Sequence, residues 1–145
     1  MEMNGTILID RPVDSVFAYV INVENDIHWR SGVTGSGMRS SDPIGVGSIG
    51  YTVAGDQEVE WRVVNYIPGE SVDWEFLNGP FVGSGGYRFE PVEGGTQFTL
   101  VAAVEPSGVY KLLGPLFGWI GGRRNQADVE KLRDILEATA DGMKT

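Results

Sequence analysis

The chain has no cysteine and a single histidine, His28, among its 145 residues. Disulfide scaffolds, zinc ribbons, thiol nucleophiles and multi-histidine metal centres are thereby excluded. Only carboxylates remain as metal ligands, and these fall along strands, so neither a bound metal nor a cofactor is expected. Basic residues are scarce. Eleven Lys and Arg stand against twenty Asp and Glu, a net charge of −9. Such a surface repels phosphate backbones, so no nucleic-acid partner is expected. Long apolar runs are missing too. The most apolar window, Val109 to Ile120, is shorter than the ~20 residues that span a bilayer, which argues against integral membrane association. The opening MEMNGTILID turns acidic at once and has no apolar signal core, which points to a cytoplasmic protein.

What is present is the material of one globular domain, residues 1–145. Hydrophobic residues make up 41% and charged residues 21% of the chain, inside the globular range. The acids are concentrated early. Residues 1–104 hold fourteen acids and five arginines, whereas residues 105–145 hold six of each sign. Glycine, 21 residues, falls mostly between short apolar runs, where it marks turns.

The periodicity changes twice along the chain. Asn4 to Asp10 reads as a first strand. Pro12 then opens a helix carrying Val13, Val16, Phe17 and Val20 at helical spacing, and a second short helix covers Val23 to Trp29. From residue 33 to 104 the period is two. Ile49, Tyr51 and Val53 share a face, as do Val59, Trp61 and Val63; Val72, Trp74 and Phe76; Tyr87 and Phe89; and Phe98, Leu100, Ala102 and Val104. The intervening Gly and Pro breaks leave no room for crossover helices, so the six strands form an antiparallel meander. The tail returns to helical spacing, with Leu112, Leu113, Leu116, Phe117 and Ile120 continued by Val129, Leu132, Ile135 and Leu136. Gly114-Pro115 marks a break or a fresh start in it.

This order predicts an α+β fold: a curved antiparallel sheet of about seven strands around one long C-terminal helix, with two short helices after the first strand. A helix crossing a concave sheet encloses either close-packed side chains or a cavity for an apolar ligand. The aromatic residues of the apolar faces and the glycines at 83, 85 and 86, which leave space beside Tyr87, favour the cavity.

Four segments resemble a known family. Ile9-Asp10-Arg11-Pro12-Val13 through Val20 is similar to the opening of the START-like, helix-grip (SRPBCC) superfamily, and Glu24 to Trp29 resembles its following short-helix segment. Trp61 to Gly69 is similar to its strand ending in "V-x-x-y-x-P", and Gly94-Gly95-Thr96-Gln97-Phe98-Thr99 to its "G-G-T" hairpin. The match runs in order along nearly the whole chain and is nearest the polyketide cyclase/dehydrase-like branch. The resemblance implies the helix-grip fold and says little about reaction, because the superfamily spans lipid carriers, hormone receptors, cyclases and co-chaperones.

The chemistry-bearing side chains are few. His28 is the one group that titrates near neutrality unaided. It reads as a surface or helix-end histidine, the functional alternative being a general base oriented by Asp26 or Glu24. Arg62 and Arg88 sit on the polar faces of strands and are expected to pair across the convex side, unless a reversed face brings one into the cavity to anchor an anion. Glu58, Glu60, Asp73 and Glu75 form one acidic outer face. Gly45 to Gly50 spells G-x-G-x-x-G, but a strand rather than a helix follows it, which excludes dinucleotide binding. Arg123-Arg124 reads as a solvated helix face.

The function expected is binding of a small hydrophobic or aromatic molecule, in a carrier, sensor or sequestering role. The expected contacts are Tyr51, Trp61, Trp74, Phe76, Tyr87, Phe89 and Phe117. One alternative is a cyclase, aromatase or dehydratase whose polar groups come from His28, Tyr51, Asn65, Tyr87 or Arg88. Another is a protein-interaction module with a filled core. The sequence leaves the oligomeric state open, a homodimer included.

Overall fold

A computed structural model describes residues 3–41, 43–79, 81–106 and 114–143, with side chains for all of these except 81, 105–106, 114–121 and 139–143. Strand β1 (Gly5–Ile9) leads into helix α1 (Val13–Ile21). Pro12 precedes α1 in an extended conformation, and Val16 and Val20 are its buried face. The segment expected as a second helix is a 3-10 turn, Val23–Asn25, followed by the single turn α2 (Asp26–Trp29).

Six strands follow: β2 (Val33–Met38), β3 (Ile49–Ala54), β4 (Gln57–Ile67), β5 (Ser71–Phe76), β6 (Phe81–Val92) and β7 (Gly95–Pro106). Each pairs antiparallel with the next, and β1 closes the far edge on β7, so the order is β1-β7-β6-β5-β4-β3-β2. Where the hairpins are tight the chain spends glycine: Gly55 turns β3 into β4 at φ +61 and Gly94 turns β6 into β7 at φ +90, a conformation costly for other residues. A bulge between Val63 and Asn65 shifts the alternation of β4, so that Tyr66 rather than Asn65 continues the Val63 face.

Helix α3 (Gly114–Met143) begins at the Gly114-Pro115 break and runs on unbroken past Gly121-Gly122. It is seated on β1 by close backbone approach. A Cβ at Gly5 would lie 2.8 Å from the Asn125 carbonyl oxygen. The Asn125 amide donates to the Met3 carbonyl at 2.7 Å, and Gln126 both accepts from the Thr6 amide and donates to the Thr6 carbonyl. Among its described side chains, Asn125, Asp128, Val129, Leu132 and Leu136 are buried, three or four residues apart as one helical face requires. Val109, Leu112 and Leu113, and the side chains of Leu116, Phe117 and Ile120, lie outside the described residues. The close-packed core under α1 and the C-terminal half of α3 contains Ile9, Trp29, Phe89, Phe98, Leu100, Val129 and Leu132.

Candidate ligand-binding cavity

Beside that core the curved sheet leaves a cavity of about 360 Å³, within the size range of small-molecule sites. Its walls are mainly apolar, and the sheet supplies most of them: Trp61 and Val63 of β4, Trp74 and Phe76 of β5, Tyr87 of β6, and Leu100 and Ala102 of β7. Trp61 and Trp74 meet at a 6.2 Å centroid separation with their planes tilted by 52°, and Trp74 meets Tyr87 at 4.8 Å, geometries in which ring edges and faces attract. Two glycines make room for these rings. A Cβ at Gly50 would fall on the Trp61 indole, and one at Gly85 would lie 2.7 Å from Cζ2 of Trp74. The space expected at Gly85 is therefore filled by an indole, while Gly86 faces Asp73 on the other side of the sheet.

One end of the cavity is polar. Asp26 and Arg30, four residues apart at α2, line it together with Asp128 of α3. Asp128 is 3% exposed. It accepts from the Ser31 amide at 3.1 Å and from the Ser31 hydroxyl, and its Oδ2 stands 3.6 Å from Arg30 Nε. The Arg30 guanidinium lies over the Trp29 ring at 5.2 Å. Asp26 is 7% exposed, and among the described residues its Oδ2 has only a long 3.5 Å contact from the Ser36 hydroxyl. Burial pushes its carboxyl from 3.8 up to about 6, with Arg30 and Ser36 opposing part of the rise. Burial likewise raises the Tyr87 phenol, and the Asp26 carboxylate adds to the rise, so Tyr87 stays a hydroxyl throughout the physiological range.

Residues 1–145 match the profile of the family described as polyketide cyclase / dehydrase and lipid transport. The chain belongs to this family. Solved structures repeat its fold at low identity. Protein TTHA0849 of Thermus thermophilus is similar at 17% identity, covering 96% of this chain and 99% of its own, with a TM-score of 0.78. The Zhui aromatase/cyclase from Streptomyces sp. R1128 superposes with a TM-score of 0.74 at 13% identity over 94% of this chain and 93% of its own. The di-domain aromatase/cyclase StfQ of the steffimycin biosynthetic pathway reaches 0.75 at 11% identity, with 97% of this chain matching 51% of that one. No curated protein matches the sequence.

In this polyketide cyclase/dehydrase family member the residues expected at the site divide into three groups. Trp61, Trp74, Phe76 and Tyr87 come together on the cavity wall. Phe89 does not line it; the ring is 5% exposed and packed between Phe17, at 5.1 Å, and Phe98, at 5.3 Å. Tyr51 is a correction. The register pairs Tyr51 with Glu60 and Thr52 with Val59, so Thr52 and Gly50 face inward while Tyr51 lies outside beneath the Arg39 guanidinium, 4.1 Å away. The bulky Tyr51, Ile49 and Val53 had suggested the inner face, but the Trp61 ring needs a glycine opposite it. The side chain of Phe117 lies outside the described residues.

The polar candidates separate as well. His28 is exposed on α2, and among the described residues no hydrogen bond joins it to Asp26. Arg88 is on the convex face, paired with Asp73 at 2.8 Å, and Arg62 pairs there with Glu75. Asn65 donates to Ser71 and to Asp73 on that same face. Arg39 bridges Glu58 and Glu60 there. The acidic strand residues are thus the outer face expected for them. Sequence reasoning missed Arg30 and Asp128, and it named Asp26 only in the alternative that made it a partner of His28, with which no hydrogen bond joins it among the described residues. A signal existed: Asp128 falls on the helical face of Val129, Leu132 and Leu136, and a charge on a buried stripe needs a partner.

Proposed function

We propose that the chain binds a small hydrophobic or aromatic molecule in this cavity, as a carrier, sensor or sequestering protein. The observation that carries the reading is the aromatic wall of Trp61, Trp74, Phe76 and Tyr87 around about 360 Å³ of space. Enclosure of an apolar ligand there contributes about 25 cal/mol per Å² of surface removed from water, without a reactive pair. The family's description, which joins lipid transport to cyclase and dehydrase chemistry, is consistent with it. The test is titration with the neutral fluorophore N-phenyl-1-naphthylamine, alongside native mass spectrometry for a co-purified molecule. Ala102→Phe projects a ring into the cavity and is expected to abolish probe binding. Wild-type protein that never binds the probe and carries no molecule would refute the proposal.

A second reading has one specific observation behind it. A carboxyl that titrates near 6 beside a neutral phenol, at the end of an apolar cavity, is equipped for proton transfer to an enolisable substrate. Turnover of such a substrate that disappears in Asp26→Asn while probe binding persists would favour the enzyme over the carrier.

A further inference from the structure

The polar end of the cavity holds an imbalance that the apolar reading does not use. Asp26 Oδ1 and Arg30 Nε are both buried, and neither has a hydrogen-bond partner among the described residues; the Nε has only the 3.6 Å ion-pair contact with Asp128 Oδ2, too long for a hydrogen bond. Both belong to residues that line the cavity. Trp29 Nε1 is a third such atom, on a side chain that does not line it. Buried polar atoms are almost always satisfied, and leaving one unpaired costs free energy, most of all on a charged group. An acceptor and a donor left open on adjacent turns of one segment mark a place where a ligand group completes the bonding. The carboxyl can meet such a group readily. Among the described residues its only side-chain hydrogen bond is the 3.5 Å contact to Ser36, and the terminal torsion of Asp is broad.

We infer that the cavity is selective for a neutral apolar molecule ending in a hydroxyl group, the hydroxyl donating to Asp26 and accepting from Arg30. This rests on the cavity being the binding site. Three other common head groups each leave something unsatisfied. A carboxylate meets Arg30 but places a new anion beside Asp26 and Asp128. An ammonium meets Asp26 but leaves Arg30 Nε without a hydrogen bond and adds a second cation next to it. A ketone or ester only accepts, so Asp26 stays open. A hydroxyl serves as donor and acceptor at once. Arg124 also lines the cavity, but it is exposed, so its charge is solvated and does little to rescue a carboxylate.

The experiment displaces N-phenyl-1-naphthylamine from the full chain with naphthalene, 2-naphthol and 2-naphthoate near pH 7.5. One hydrogen bond to a charged group makes 2-naphthol bind about 10- to 100-fold tighter than naphthalene, with 2-naphthoate the weaker of the two substituted ligands. In Asp26→Ala the ratio of 2-naphthol to naphthalene affinity falls towards one. Should that variant not fold, the wild-type series decides alone. Naphthalene binding with no gain for 2-naphthol, or 2-naphthoate binding tightest, overturns the hydroxyl inference and leaves the cavity reading intact. Failure of every ligand and of the probe overturns both.

Discussion

Replacing Asp26 by Asn removes a cavity carboxyl whose ionisation burial opposes. The folded protein holds the Asp26 proton up to about pH 6, against an ordinary value of 3.8. Between these values the folded state binds more protons than the unfolded state, so stability falls as pH rises. The contribution is fully present below about 3.8 and is lost as pH passes through 6. At 1.36 kcal/mol for each pH unit of displacement, the loss is about 3 kcal/mol, a sizeable share of a domain's total of roughly 5–15 kcal/mol. Asparagine carries no charge at any pH and nearly matches the protonated acid in shape. Asp26→Asn is therefore expected to gain about 3 kcal/mol relative to wild type between about pH 4 and pH 8. Urea unfolding of both proteins across that range measures it. With m of about 1–3 kcal/mol per molar, the midpoints move apart by on the order of 1–3 M. Parallel stability curves for wild type and variant, or a wild type that gains on the variant with rising pH, would refute the burial argument.

Other substitutions test the remaining parts of the site. Gly50→Ala sets a methyl against the Trp61 ring, 2.9 Å from Cε2, so overpacking is expected to cost about 1–3 kcal/mol and to tilt the indole into the cavity, weakening probe binding; unchanged affinity would contradict the placement of Trp61. Asp128→Ala strips the buried partner of Arg30 and of the Ser31 amide and is expected to destabilise by about 3 kcal/mol, read as a lowered urea midpoint, with Asp128→Asn milder because it keeps an acceptor. Arg88→Ala removes an ion pair whose arginine is 45% exposed, so a change within about 1 kcal/mol is expected. Probe affinity of that variant and of His28→Ala should equal wild type, and a large loss in either would return a polar residue of the convex face or of α2 to the site.

The element order, the antiparallel meander and the helical tail were legible in the sequence because each rests on local periodicity and on turn residues that act over a few positions. Pro12 and Gly114-Pro115 mark helix starts, Gly55 and Gly94 mark hairpins, and the alternation of β4 to β7 puts Trp61, Trp74, Phe76 and Tyr87 on one side of the sheet. Family membership was legible for the same reason, since its motifs sit at these turns and strand ends. The face of β3 was not. Alternation gives two equivalent phases, and the choice was made by a pairing that sets Gly50 under the Trp61 ring and sends Tyr51 outside. Nor could local pattern tell that Phe89 would be enclosed by Phe17 and Phe98 rather than border the cavity, because α1 covers it from elsewhere in the chain. The polar end of the site was decided by tertiary structure alone. Asp26 and Arg30 at α2 are about a hundred residues from Asp128 on α3, and only the seating of α3 against β1 and α2 brings their charges together out of water.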